Sequence, residues 1–394
     1  MNPAPLRIAH LNSLLTGGGT DDQCVKLAKG LCELGQAAWV IGPEGREFSA
    51  ILRHLQVPYH PMPGEGPLKL PLMLAAAKFV RRFNIQILHA HHGRDLWPAV
   101  FAARLSARRP LLVVTRHLAK SPSSWFSRRF LLNRCDGLIA VSQFVAQVLR
   151  QGAFEPNSPE AERRARPPMR GDHSKIRVIH PGIDTDRFRP AEAEQFRKSW
   201  GIGPDQFVFA VVGGYDLPRG KGQREFLRAA AQIQSKLPRA RFLIIGRGNL
   251  RATLERDIHQ LGLKEKAWLT PYCQDMPAAM NALDCLVHPQ VGTEAFPTVL
   301  LEAFASGKPV IASALDGIPE AFAIGQQGKL VPPEDVESLA AALLELAQAP
   351  VLTHPQRQAL HERVARQCSL GELAAKVLAV YQDLIQTRPT PETI

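Results

Sequence analysis

Short apolar runs alternate with helical patterns from Arg7 to Val141, and the same alternation restarts at Phe207. In the first half the runs are Arg7–Leu11, Ala38–Ile41, Ile85–His89, Leu111–Thr115 and Gly137–Val141. Helical spacing covers about Asp21–Leu34, Leu96–Leu105 and Ser123–Asn133 between them. In the second half Phe207–Val212, Arg241–Ile245, Cys285–His288 and Pro309–Ala312 read as strands, with helices over Gln223–Gln234 and Leu250–Leu261. Strands that alternate with helices predict an α/β protein whose parallel sheets are covered on both faces. Two such series in 394 residues predict two doubly wound, Rossmann-like domains. Ligands of such sheets bind beyond the carboxyl ends of the strands, so a cleft between the domains is the expected site.

Composition is that of a soluble globular chain, 45% apolar and 21% charged. No apolar run approaches the roughly 20 residues of a membrane-spanning helix, and the start, Met1–His10, lacks the apolar stretch of a secretory signal. Six scattered cysteines without a C-x-x-C pair read as thiols rather than disulfides or metal ligands. The expected location is cytoplasmic. The net charge of +12 is unevenly placed: residues 1–185 hold 25 Lys+Arg against 13 Asp+Glu, and residues 186–394 hold 23 of each. A basic first half suits an anionic partner: a phospholipid surface, a phosphorylated lipid, a lipopolysaccharide core or nucleic acid. The helix Ser121–Arg134, with Ser121 expected as its N-cap, mixes Trp125, Phe126 and Phe130 with Arg128 and Arg129. It reads equally as an interfacial anchor or as a core helix with a basic outer face. Between Gly152 and Ser174 lie four prolines and Arg163, Arg164, Arg166 and Arg170, which predicts a mobile basic loop over about 152–174.

Glu294 and Glu302 stand eight positions apart in Thr293–Ser313. Leu300, Leu301, Phe304 and Ala305 recur at helical spacing, so Glu294 precedes a helix and Glu302 lies inside it. A helix start offers unpaired N–H groups to a phosphate, and flanking carboxylates accept hydrogen bonds from sugar hydroxyls. That combination points to a nucleotide-sugar site. Thr16-Gly-Gly-Gly-Thr20 follows the first strand, as Gly213–Gly222 follows the first strand of the second half. Gly246-Arg247-Gly248 ends a strand, Thr115-Arg116-His117 ends another, and His89, His91 and His92 follow a third. No acidic partner is read beside these histidines, so no metal is implied.

The run Glu294–Glu302, with its flanking Leu-Glu-Ala, Gly-Lys-Pro and Val-Ile-Ala-Ser, resembles the E-x7-E signature of retaining GT-B glycosyltransferases, in particular family 4. Gly182-Ile-Asp-Thr-Asp-Arg-Phe188 resembles that family's run before the interdomain linker. The resemblance implies a GT-B fold: two Rossmann-like domains facing across a cleft, with a C-terminal helix (Leu373–Ile385 here) crossing back to the first. The expected domains are residues 1–189 on the acceptor side and 190–370 for the donor, with 371–394 as crossover helix and tail.

The resemblance implies a hexosyltransferase that moves sugar from a nucleotide-diphosphate donor to a lipid-linked or cell-envelope glycan acceptor such as lipopolysaccharide or exopolysaccharide. It needs no cofactor or metal and binds no nucleic acid. The basic first half and its aromatic–basic helix give the further expectation of a peripheral protein at the inner face of the membrane. By the same resemblance Glu294 and His117 meet the donor sugar or acceptor, and Glu302 the ribose. Gly18, Gly19, Arg219, Lys221, Arg247, Phe296 and Thr298 approach the donor, and His91 or His92 lines the acceptor side. Gly214 stands where relatives carry an arginine, a place Arg219 is expected to fill. Two other readings stay open: an epimerase or hydrolase of the same fold, and a non-catalytic binding subunit.

Overall fold

A computed structural model describes residues 4–14, 19–43, 52, 55–63, 70–152, 167–216, 220–270 and 273–388. Gly18, Arg219, Arg163, Arg164 and Arg166 lie outside the described residues, as does most of the expected basic loop. The chain divides into two compact units, residues 1–182 with 370–394, and residues 183–369.

Among the described residues the first unit holds seven strands: β1 Arg7–Leu11, β2 Ala37–Pro43, β3 Tyr59–Met62, β4 Ile87–Ala90, β5 Leu111–Arg116, β6 Gly137–Ala140 and β7 Ile176–Val178. They form one sheet in the order β3-β2-β1-β4-β5-β6-β7. The second unit holds β8 Phe207–Val212, β9 Ala240–Ile245, β10 Ala267–Leu269, β11 Cys285–His288, β12 Val310–Ser313 and β13 Gly328–Val331, in the order β10-β9-β8-β11-β12-β13. Every pairing is parallel. The order reverses at β1/β4 in one sheet and at β8/β11 in the other, and crevices at such reversals hold ligands in doubly wound folds.

The central strands are Val/Ile/Leu-rich because helices cover both faces: β4, β5, β6, β11 and β12 are buried throughout. Helix starts carry their own acceptors. Ser142 takes the Val145 N–H, Asp275 that of Ala278 and Asp335 that of Ser338. The short aromatic–basic helix spans Trp125–Phe130 and is capped by Ser124, whose hydroxyl accepts the Ser127 N–H at 3.4 Å. Ser121, the cap expected from sequence, does not fill that place. Its hydroxyl instead donates to the Val148 carbonyl, and the Pro122 and Ser123 carbonyls accept from Arg128.

The C-terminal helix Leu370–Gln386 belongs to the first unit. Its Leu373, Ala374, Val377, Val380 and Tyr381 join Ile8, Leu27, Leu31, Ile87, Val113 and Ile139 in one core. Gly30, on the helix Gly19–Glu33, permits the contact, since a Cβ there would lie 2.8 Å from the Ala374 Cβ. The six cysteines are free, four of them buried. No helix among the described residues is long and apolar enough to cross a membrane.

Candidate active site

In the second unit the loops after β8 and β11 bring Lys221 and Glu294 together. Lys221 Nζ donates to Glu294 Oε2 at 2.8 Å, across 73 positions of sequence. Three glycines set this up. Gly213 lies against the Lys221 side chain, Gly246 passes the Gly213 carbonyl, and a Cβ on Gly222 (φ +80°) would fall 1.8 Å from the Pro289 carbonyl. Gln223 fastens the turn, accepting the Lys221 N–H at 2.7 Å and donating to the Gly214 carbonyl at 3.2 Å. Glu294 is held from the other side: its N–H donates to Asp316 Oδ2, and its carbonyl accepts the Gly317 N–H.

Burial alone would raise the Glu294 carboxyl. The Lys221 ammonium, aided by His288 and the Ala295 N–H, outweighs it and holds the group below its ordinary range. His288, last residue of β11, is fully buried with its Nε2 3.9 Å from Glu294 Oε2. Burial, with Lys221 adding to it, pushes its pKa down to about 3 against the opposing pull of Glu294. Neither ring nitrogen has a hydrogen-bond partner among the described residues. The helix Thr298–Ala305 begins just beyond, with Phe296 buried before it, Thr298 partly buried at its first position and Glu302 partly buried one turn on. Arg247 is exposed after β9, and its carbonyl accepts the Tyr215 N–H at 3.2 Å. A Cβ at Gly214 would meet nothing closer than 3.7 Å, so close packing does not require glycine there.

In the first unit a histidine cluster gathers at the carboxyl ends of β1, β4 and β5. His10 Nδ1 lies 3.0 Å from His91 Nε2, and His91 Nδ1 lies 3.4 Å from His117 Nε2. His89 Nδ1 meets the Tyr381 hydroxyl at 2.6 Å, and its Nε2 meets Thr115 Oγ1 at 2.7 Å. His92 Nε2 lies 2.8 Å from Asp21 Oδ1, which also accepts from Asn12. The helix Gly19–Glu33 therefore supplies these histidines with an acidic neighbour, Asp21, contrary to the expectation from sequence. Gly19 opens that helix, with open space where a Cβ would be.

Burial lowers His10 and His117 to about 3, and His89 and His91 well below the usual imidazole value, so these rings are neutral at pH 7. His10, His89 and His91 each place a ring nitrogen within 4.8 Å of the others. Both His89 nitrogens are already engaged by Tyr381 and Thr115, and both of His91 by His10 and His117, which leaves only His10 Nε2 in the trio without a hydrogen-bond partner among the described residues. The trio therefore fits a hydrogen-bonded wall better than a metal centre.

Of the expected residues, the structure joins Glu294 to Lys221, and His117 to His91. His10, Asn12, Asp21, Tyr381 and His288 had no assigned part. Their shared signal is a polar residue at or just past a strand's carboxyl end, or a helix facing it.

Residues 206–349 match the family model for glycosyl transferases group 1, and residues 17–159 match that for glycosyltransferase family 4. The chain belongs to the GT-B, family 4-like glycosyltransferases. It is 34% identical over 181 residues to D-inositol 3-phosphate glycosyltransferase of Mycobacterium marinum, a match covering 44% of this chain and 37% of that protein. It is 25% identical over 389 residues to phosphatidyl-myo-inositol mannosyltransferase of Mycolicibacterium smegmatis, covering 93% of this chain and 90% of the relative. The fold matches Anabaena HepE, solved in complex with UDP and glucose, with a TM-score of 0.75 at 20% identity over 96% of this chain and 99% of that one.

Proposed function

We propose that this chain is a retaining glycosyltransferase that moves a hexose from a nucleoside-diphosphate donor to a lipid-linked or envelope glycan acceptor. The Lys221–Glu294 pair carries the reading. It sets a cation for a diphosphate beside a carboxylate for sugar hydroxyls, at the strand-order reversal of the second sheet and next to a helix start. In the reaction the acceptor oxygen bonds to the anomeric carbon and the bond from that carbon to the β-phosphate oxygen breaks. The hydroxyl proton leaves with the diphosphate or to solvent. Lys221, with Arg219 in the place of the usual arginine, stabilises the departing charge. Glu294 and His117 hold sugar hydroxyls, Glu302 the ribose, and the main chain around Phe296 and Thr298 the phosphate. Gly18, Gly19 and Arg247 approach the donor, and His91 or His92 the acceptor. No metal is required.

On this reading the acceptor is met at an anionic membrane face, which the exposed apolar groups of one short helix support. Trp125 is 64% exposed and Phe126 49% on the short helix that also carries Arg128 and Arg129, and Leu118 before it is 57% exposed. These apolar groups stand within the half of the chain that holds the whole charge excess.

The test is turnover of a panel of nucleoside-diphosphate hexoses, with and without lipid-linked acceptors, followed by NMR of the new glycosidic bond. An axial donor sugar should give an axial product. Donor consumption without acceptor would favour a hydrolase or epimerase. Donor binding without consumption in any combination would favour a binding subunit. An inverted product would refute retention.

A further inference from the structure

The three rings His10, His91 and His117 stand in line, each touching the next through one nitrogen. A neutral imidazole carries one N–H and one bare nitrogen, so the proton's place on one ring dictates its place on the next. Two arrangements satisfy both contacts, with every donor pointing outward from His10 towards His117 or every donor pointing back. The free end of the line decides between them. His10 Nε2 is buried and has no hydrogen-bond partner among the described residues. Pointing back would leave an N–H there, and an orphaned buried N–H is rarer in folded proteins than an under-used acceptor. Pointing outward leaves only a bare nitrogen.

We propose that His10 and His91 are positioning residues that fix the tautomer of His117. His10 donates from Nδ1 to His91 Nε2, and His91 donates from Nδ1 to His117 Nε2. His117 consequently holds its own proton on Nδ1, where it is offered to an oxygen of the sugar or acceptor. Neutral rings keep this order intact, since a second proton on any of the three would make both of its nitrogens donors. His89 closes the side of the line. Its ring stacks on that of His91 with centroids 4.3 Å apart, and Tyr381 and Thr115 occupy its nitrogens. The inference about catalysis rests on the proposed role of His117; the tautomer itself does not.

The test is long-range 1H–15N NMR of the full chain with labelled histidine at pH 7.5, each resonance assigned by a single variant. The expected result is protonated Nδ1 and bare Nε2 on His10, His91 and His117. Protonated Nε2 on His117 overturns the proposal, whatever the enzyme does. His10→Asn keeps an N–H where Nδ1–H stood and should preserve the His117 tautomer. His10→Leu removes it and should give a mixture at His117, with kcat lower by about fivefold and KM little changed, as for one lost neutral hydrogen bond. An unchanged tautomer in the leucine variant also overturns the proposal. If the tautomers behave as expected but no donor is turned over, the transferase reading fails and the relay stands.

Discussion

Replacing Glu294 by Gln should separate binding from turnover, because the carboxylate holds the cation that the proposed function assigns to the diphosphate. Lys221 Nζ and Glu294 Oε2 are 2.8 Å apart, so a diphosphate on Lys221 places negative charge within roughly 6 Å of the carboxylate. Like charges at that distance repel by about 3 kcal/mol at an effective dielectric of about 20, and by less than about 1 kcal/mol in water. The pair lies between those limits, with side chains 34% and 18% exposed, so solvent screening favours the lower end. Removing the charge should tighten diphosphate binding by about 1 kcal/mol, or about fivefold. The same change loses a charge-assisted hydrogen bond to a sugar hydroxyl and should cut turnover by at least about tenfold. Calorimetric titration with UDP, GDP and the parent nucleosides checks the first part. Nucleoside affinity should stay constant, since the carboxylate acts on the phosphates. Weaker diphosphate binding in the variant would refute the reasoning, for Glu294 would then be helping to build the phosphate site.

Acid should destabilise the first unit early. His10 and His117, at about 3 when folded and near 6.5 when unfolded, take up protons only on unfolding in that window, so stability is present above pH 6.5 and lost as pH falls towards 3. Between pH 8 and 5.5 each costs about 1.4 kcal/mol, which urea melts at the two pH values would read; equal midpoints would contradict the assignment. Gly222→Ala should cost at least about 3 kcal/mol and lower Tm by about 6 °C or more, because its Cβ meets the Pro289 carbonyl. Gly262→Ala, with φ +68° but open space around it, should lose only about 1–2 kcal/mol. Co-sedimentation with anionic vesicles should be strong at low salt and absent with neutral ones, and Trp125→Ser with Phe126→Ser should remove the part that survives high salt; indifference to anionic vesicles at low salt would end the membrane assignment.

The second-half motifs were legible because they are local. Glu294, Glu302 and their helix fall within one short run, and each central strand announces itself by unbroken apolar residues. The edge strands did not. β3 contains Pro61, and β13 begins Gly328-Lys329 with a mostly open face, so neither shows an apolar pattern. Pairings across the crossovers were also invisible. Lys221 finds Glu294 across 73 positions and His10 finds His91 across 81, because parallel strands deliver their carboxyl ends to one place. Sequence can mark each strand end as a candidate, but it does not give the side-chain geometry that joins them.

The first unit is discontinuous, and this orders its assembly. Its sheet is translated first, yet Leu373, Val377 and Tyr381, which seal one face of that sheet, follow all of residues 183–369. During synthesis the second unit, contiguous in sequence, has every strand it needs while the first still exposes Ile8, Leu27, Leu31 and Val113. The Tyr381 hydroxyl that occupies His89 arrives in the same late segment. The histidine wall is thus completed among the last steps of biogenesis, and a chain interrupted before Leu370 would present a sticky apolar face to chaperones and proteases.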